Sequence, residues 1–83
     1  MDIESALKKY IVTEIMHELD PSVLDNETAL IEEGVIDSMS LIELVHFIEK
    51  HFLVTISEDE LDIDNFKTVN ALSDFIKKKM KMS

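Results

Sequence analysis

The sequence Leu-Ile-Glu-Glu-Gly-Val-Ile-Asp-Ser-Met, residues 30–39, joins an acidic loop to the start of an amphipathic helix. Gly34 can adopt the positive φ that a sharp turn in such a loop requires, and Asp37 has the side chain of a helix N-cap. Ser38 then falls at the helix start, where its hydroxyl is exposed and the free N–H groups and positive dipole end favour a phosphate. Serine is also an ordinary capping residue, so this stretch alone leaves both roles open.

The helix that follows is predicted to run from residue 38 to about residue 52. At about 3.6 residues per turn, one face carries the apolar residues expected to face the core: Leu41, Leu44, Val45, Ile48 and Phe52. The residues predicted to bind partner proteins, on the opposite face and at its margin, are Asp37, Met39, Ile42, Glu43 and His46. An apolar pair at the exposed head of a helix suits an adaptable docking surface. The alternative is that Met39 and Ile42 pack into the core against the preceding loop.

Helical periodicity dominates the rest of the sequence, which has one glycine, one proline and no sustained strand alternation. A first helix is predicted over about residues 2–19, ended by Asp20-Pro21. Ser57 and Glu60 form a capping box that opens a very short third helix through about residue 62, and a fourth helix begins after Thr68 as N-cap. The predicted fold is therefore an all-α four-helix bundle with three longer helices, one short helix and a long loop between the first two.

The loop between the first two helices is about 17 residues long, which is unusual for a featureless connection in a small domain. Its apolar residues are expected to anchor it across the helices: Val23, Leu24, Leu30, Ile31, Val35 and Ile36. A short turn is predicted near residues 26–28. The last helix is predicted to bury Val69, Leu72, Phe75, Ile76 and Met80.

Composition limits the function. The 83 residues are predicted to form a single domain, residues 1–83, and contain no cysteine, 18 acidic residues and eight lysines. Residues 1–66 hold 17 of the acids and only three of the lysines, a charge that repels nucleic acid and anionic lipid and attracts basic protein surfaces. The first residues show neither the basic nor the apolar segment of a signal peptide, and no run approaches the roughly 20 apolar residues of a membrane span. We therefore expect a cytoplasmic protein that does not insert into a membrane, and we further expect a monomer that does not bind nucleic acid.

Several kinds of chemistry fit the sequence poorly. Two Glu-x-x-His pairs are present, Glu14 with His17 and Glu43 with His46, but the second pair lies opposite the core face of its helix, which disfavours a metal site inside the bundle. Ser38 lacks the Gly-x-Ser-x-Gly setting of a hydrolase nucleophile. One glycine is too few for a phosphate-binding loop. No catalytic residue and no metal site are predicted, and Ser38 is better read as a substrate for modification.

The chain resembles the acyl carrier and peptidyl carrier proteins, which carry phosphopantetheine. The resemblance runs from about residue 3 to residue 80 and rests on residues 30–39 followed by Leu41, Leu44, Val45, Ile48, Glu49, Phe52, Ile56 and Phe66-Lys67-Thr68. Met39 stands where the family usually has leucine. Two motifs look more like those of D-alanyl carriers and stand-alone peptidyl carriers: the Glu-Glu-Gly-x-x-Asp-Ser-Met string and the aromatic-x-Thr before the last helix. The second helix also differs from that of fatty-acid carriers, which is strongly acidic, because here its polar residues include Ser40, His46, Lys50 and His51.

The resemblance implies that Ser38 carries covalent 4'-phosphopantetheine, transferred from coenzyme A by a phosphopantetheinyl transferase. The chain would then hold acyl or aminoacyl groups as thioesters for partner enzymes without being an enzyme itself. The implied partners are an adenylate-forming ligase or acyltransferase and a downstream synthase or transferase. Two alternatives are a fatty-acid or polyketide carrier and, in a different class, an unmodified acidic helical adaptor that binds a basic protein.

Overall fold

The computed structural model describes residues 3–82, which form an all-helical fold without strands in that range. The main helices are α1 (Ile3–Tyr10), continued by a π-helix over Ile11–Ile15, then α2 (Ser38–Phe52) and α3 (Val69–Met82). Single 3₁₀ turns lie at Pro21–Val23, Glu58–Glu60 and Ile63–Phe66. None of the helices in the described range is long and apolar enough to cross a bilayer.

The core is built from apolar side chains that recur at helical spacing. The fully buried side chains on the helices include Leu7, Ile11, Leu44, Ile48, Leu72 and Ile76. Each such side chain contributes about 1.5 to 3 kcal/mol when it leaves water. The predicted core face of α2 is confirmed for Leu44, Ile48 and Phe52, while Leu41 and Val45 are only partly buried at its edge.

The first helix ends earlier than the sequence predicted. It stops at Ile15, and a wide turn follows in which Met16 N–H donates to the Ile11 carbonyl at 2.9 Å. His17 then adopts a left-handed conformation with φ of 59°, which no helix can continue. The prediction that Asp20-Pro21 ends the helix was therefore wrong, because the chain has already turned by His17.

The long loop packs across the helices as expected. Leu24, Leu30 and Ile36 are buried and Ile31 and Val35 partly buried, whereas Val23, also predicted as an anchor, is exposed. The predicted turn is present, with Thr28 N–H donating to the Asp25 carbonyl at 3.1 Å. Two further backbone bonds fix the end of the loop: Leu30 N–H to the Lys67 carbonyl at 2.9 Å, and Ile36 N–H to the Leu30 carbonyl at 3.0 Å.

The predicted count of four helices is not confirmed in the described range, because the expected short third helix is a single 3₁₀ turn at Glu58–Glu60. The capping interaction is present, with Ser57 N–H donating to Glu60 Oε1 at 3.0 Å. The turn ends where Leu61 and Asp62 leave the helical region, with ψ of 58° and 140°. Asp62 then caps a second turn, Ile63–Phe66.

The segment that contains these turns is attached to both neighbouring helices. Glu49 on α2 accepts the Ile56 N–H at 2.9 Å. Lys79 on α3 donates to both carboxylate oxygens of Glu60, at 2.7 and 2.9 Å. The hydrogen bond from Lys79, and after it that from the Ser57 backbone, lowers the pKa of Glu60 below its ordinary value.

The start of α3 also follows the prediction. Thr68 acts as its N-cap, since the Thr68 hydroxyl oxygen accepts the Ala71 N–H at 3.0 Å. Val69, Leu72, Phe75 and Ile76 are buried, but Met80 remains exposed and was wrongly assigned to the core. The last turns of α3 therefore contribute less to the core than its first turns do.

Gly34 provides a test of the loop backbone. Its φ is +77°, and a Cβ placed there would meet no atom within 4 Å. We expect Gly34→Ala to lower the free energy of unfolding by about 1 kcal/mol, because alanine resists a positive φ although its Cβ would clash with no neighbouring atom. Glu33→Ala, an exposed change one residue away, is the matched control and should stay within about 0.5 kcal/mol. Equal urea midpoints for the two variants would contradict this account.

The Glu60–Lys79 pair predicts a pH dependence of stability. A carboxylate whose pKa is lowered by folding stabilises the protein fully above its unfolded value, near 4.5, and loses this contribution as the pH falls through the folded value. The stability lost in Lys79→Met should therefore be fully present well above pH 4.5 and shrink as the pH falls below that value. Urea unfolding at several pH values measures this, with Lys78→Met as control. A loss that is the same at every pH would rule the ion pair out as its cause.

Candidate functional site

Ser38 is exposed as the first residue of α2, where the sequence predicted it. Asp37 is the N-cap, with φ −106° and ψ −171°, and its Oδ1 accepts the Ser40 N–H at 2.8 Å. The first N–H groups of a helix have no partners within it, and Asp37 satisfies one of them. The others, together with the positive dipole end, lie beside the Ser38 hydroxyl.

The Asp37 carboxylate remains ionised beside Ser38. The hydrogen bond from the Ser40 backbone N–H holds the pKa of Asp37 below its ordinary value. The loop before it exposes Glu32 and Glu33 as well. The surroundings of the Ser38 hydroxyl are therefore acidic, which favours approach by basic protein surfaces.

An apolar groove begins at Ser38. A cavity of about 410 Å³ is lined by Ile31, Gly34, Ile36, Asp37, Ser38, Leu41 and Ile63. A second cavity, of about 260 Å³, continues along α2 and is lined by Leu41, Ile42, Val45, His46, Glu49, Ile56 and Leu61. Leu41 lines both cavities, so they adjoin each other beside α2 and face the segment 56–63, and we refer to the two together as the groove.

Leu61 and Ile63 were not predicted as site residues. Both are exposed, although each is a large apolar side chain. Their signal in the sequence was a short alternation of acidic and aliphatic residues, Glu60 to Asp64, which resembles a strand pattern although the structure has 3₁₀ turns there. Their position opposite α2 depends on the hydrogen bonds of Glu49 and Glu60, which sequence spacing does not reveal.

The structure places the predicted partner-binding residues on one exposed face of α2. Met39 is 75% exposed and Ile42 is 57% exposed, so the alternative that both pack into the core is wrong. Glu43 and His46 are exposed on the following turns, and Asp37 lies at the helix start. All five side chains are therefore exposed, Asp37 as the N-cap and the other four along the first turns of α2, and their contact with partners stays a prediction.

The site fits a covalent phosphate ester. A hydroxyl can be esterified by another protein only where it is exposed, and Ser38 is. The helix start favours the negative charge of a phosphodiester. The adjoining groove, with Ile36, Leu41 and Ile63 in its walls, offers apolar surface to a long flexible substituent.

The chain resembles known carrier proteins over most of its length. It is 35% identical to the D-alanyl carrier protein of Streptococcus mutans over 72 residues, covering 87% of each chain. It is 32% identical to the acyl carrier protein of Desulforapulum autotrophicum over 79 residues, 95% of this chain and 99% of that one. It is 37% identical to an acyl carrier protein homolog of Mycoplasmopsis pulmonis over 76 residues, 92% and 99% of the two chains.

The fold also has a solved counterpart. A chain in the crystal structure of an FAD-dependent dehydrogenase superposes with a TM-score of 0.74 at 30% identity, covering 83% of this chain and 96% of that chain. The sequence pattern of the phosphopantetheine attachment site family matches residues 6–76, which include Ser38, the groove and most of all three helices. The chain therefore belongs to the phosphopantetheine attachment family, the non-catalytic carrier proteins whose prosthetic group is covalent 4'-phosphopantetheine.

Proposed function

We propose that the chain carries aminoacyl or short acyl groups on 4'-phosphopantetheine attached to the Ser38 hydroxyl oxygen. The observation that carries this proposal is the exposed Ser38 at the first residue of α2, beside the apolar groove. When attached, the group supplies a thiol that binds cargo as a thioester, in a chain that has no cysteine of its own. A phosphopantetheinyl transferase would add it from coenzyme A.

The residues around Ser38 have separate roles in this proposal. The helix start stabilises the phosphodiester by about 0.3 to 1 kcal/mol. Asp37 holds the first turn of α2 in place through its bond to Ser40, so the modified oxygen stays at a fixed, exposed position. Met39, Ile42, Glu43 and His46 form the surface that partner enzymes contact while they reach the attached group.

The proposed cargo class rests on two observations. One relative at 35% identity is a D-alanyl carrier protein, and α2 carries His46, Lys50 and His51 at exposed positions where a strongly acidic helix would be expected for fatty-acid synthesis. The proposed partners are an adenylate-forming ligase that loads the cargo and a synthase or transferase that accepts it, with the chain acting as a cytoplasmic monomer. The relatives named acyl carrier protein support the alternative, a fatty-acyl or polyketide carrier loaded by an acyltransferase.

Mass spectrometry tests the attachment site. Incubation with coenzyme A and a broad-specificity phosphopantetheinyl transferase should add one phosphopantetheinyl mass to the chain, and Ser38→Ala should add none. Ser40→Ala is the matched control, because it removes a nearby hydroxyl while keeping the backbone N–H that bonds to Asp37. A modified Ser38→Ala variant would place the group elsewhere. An unmodified native chain would favour the unmodified adaptor that binds basic proteins.

Met39→Ala tests the partner surface. Because Met39 is 75% exposed, the change should alter the free energy of unfolding by no more than about 0.5 kcal/mol. Loss of an apolar anchor at an interface typically costs above about 1 kcal/mol of binding, so kcat/KM for modification by the transferase should fall about fivefold or more. Leu19→Ala, which truncates a side chain that is 92% exposed and lies outside α2, should change neither quantity. Equal kcat/KM values for both variants would exclude Met39 from the docking surface.

A further inference from the structure

The stretch that faces α2 across the groove has no buried side chain of its own. Ile56 before it and Phe66 after it are buried, but every residue from 57 to 65 is exposed or only partly buried. We call residues 57–65 the strap. Its 3₁₀ turns are single turns, which are too short to be stable alone. Polar contacts must therefore hold the strap in place between its two apolar anchors.

Glu60 collects the polar contacts of the strap. Its carboxylate accepts the Ser57 N–H at 3.0 Å and the Ser57 hydroxyl at 3.1 Å, and its carbonyl accepts the Asn65 side-chain amide at 3.0 Å. Both of its carboxylate oxygens also accept from Lys79 on α3, at 2.7 and 2.9 Å. One residue therefore joins the two ends of the strap to each other and to α3.

The strap carries two large apolar side chains at its middle. Leu61 and Ile63 lie one and three residues after Glu60 and are both exposed. Ile63 lines the same cavity as Ser38, and Leu61 lines the adjoining cavity. Because neither side chain is buried in the core, their position beside α2 depends on the contacts of Glu60.

An enzyme that modifies the Ser38 hydroxyl must cover the surface around it. A protein–protein interface of usual size covers about 800 Å² on each partner, a disc about 16 Å in radius, so it reaches the residues that share a cavity with its centre. Ile63 is the strap residue in the cavity of Ser38, and side chains near the centre of an interface contribute more than those at its rim. An Ile63 that is already in place costs less conformational entropy on binding than a mobile one.

We propose that the Glu60–Lys79 pair positions Ile63 for partner docking at Ser38. Glu60 and Lys79 are positioning residues, because their effect passes through the strap to Ile63. The start of α2 is held by separate contacts, those of Asp37 and Leu30, so breaking the pair should weaken docking and leave the Ser38 hydroxyl where it is. The docking role rests on the proposed modification of Ser38, whereas the placement of Ile63 does not.

NMR relaxation of the ¹⁵N-labelled full chain tests the placement of Ile63 without any enzyme. In Lys79→Met the amides of Leu61 and Ile63 should show lower order parameters or new microsecond-to-millisecond exchange, while the Ser38 amide stays as in the native chain. Lys78→Met, an exposed change one residue away on α3, is the matched control and should alter none of these amides. A Lys79→Met variant in which Leu61 and Ile63 show neither change would overturn the proposal.

Steady-state kinetics with coenzyme A and the broad-specificity transferase tests the docking role. In Lys79→Met, KM for the chain should rise about three- to tenfold, the cost of ordering one or two side chains on binding, with kcat unchanged. Lys79→Arg keeps the charge and the donors and should restore most of the native KM. Removing a lysine makes the chain more acidic, which by itself favours approach of a basic enzyme surface. Net charge therefore predicts a lower KM, and Lys78→Met measures that effect.

A double variant shows whether the pair acts through Ile63. Ile63→Ala alone should raise KM, and adding it to Lys79→Met should raise KM little further, because a mobile Ile63 has already lost its part in docking. Effects that multiply independently, or equal KM values for Lys79→Met and Lys78→Met, would overturn the proposal. A native chain that accepts no phosphopantetheine would overturn the proposed function and the docking role together, while the relaxation of Leu61 and Ile63 would still decide the placement.

Discussion

The position of Ser38 depends on the anchoring of the loop that precedes it. Leu30 and Ile36 are buried, and they are joined by a backbone hydrogen bond while Leu30 also bonds to the Lys67 carbonyl. With both side chains held in the core, the chain leaves Ile36 at a fixed point on the surface. Asp37 can then cap α2, and the Ser38 hydroxyl is presented to solvent. Without this anchoring, a long loop would leave the start of α2 poorly defined.

The same helix separates two surfaces of different chemistry. On one side lies the apolar groove that begins at Ser38, closed by a segment that Glu49 and Glu60 attach to α2 and α3. On the other side, where α2 meets the first helix, Tyr10 stacks on Phe47 beside another cavity. The exposed Met39 and Ile42 lie near the head of α2. One helix therefore presents two surfaces that differ in chemistry.

The sequence by itself determined the elements whose signals are local. Helical spacing identified the core face of α2, Asp37 was recognised as a cap because capping spans only three residues, and Ser38 followed from that cap. The acidic charge and the absence of cysteine also needed no structure. The exposed side of α2 followed as well, because the face opposite a core face is exposed whenever the helix packs on one side only.

Only the tertiary structure decided where the helices end and what lies opposite α2. The first helix stops at Ile15 in a wide turn. Hydrogen bonds to carbonyls more than four residues back compete there with the regular helical hydrogen bonds, and no residue type in the sequence marks this change. Leu61 and Ile63 join the groove through hydrogen bonds between residues distant in sequence, and Tyr10 stacks on Phe47 across two helices. Such contacts depend on how whole elements pack, which periodicity within one element cannot specify.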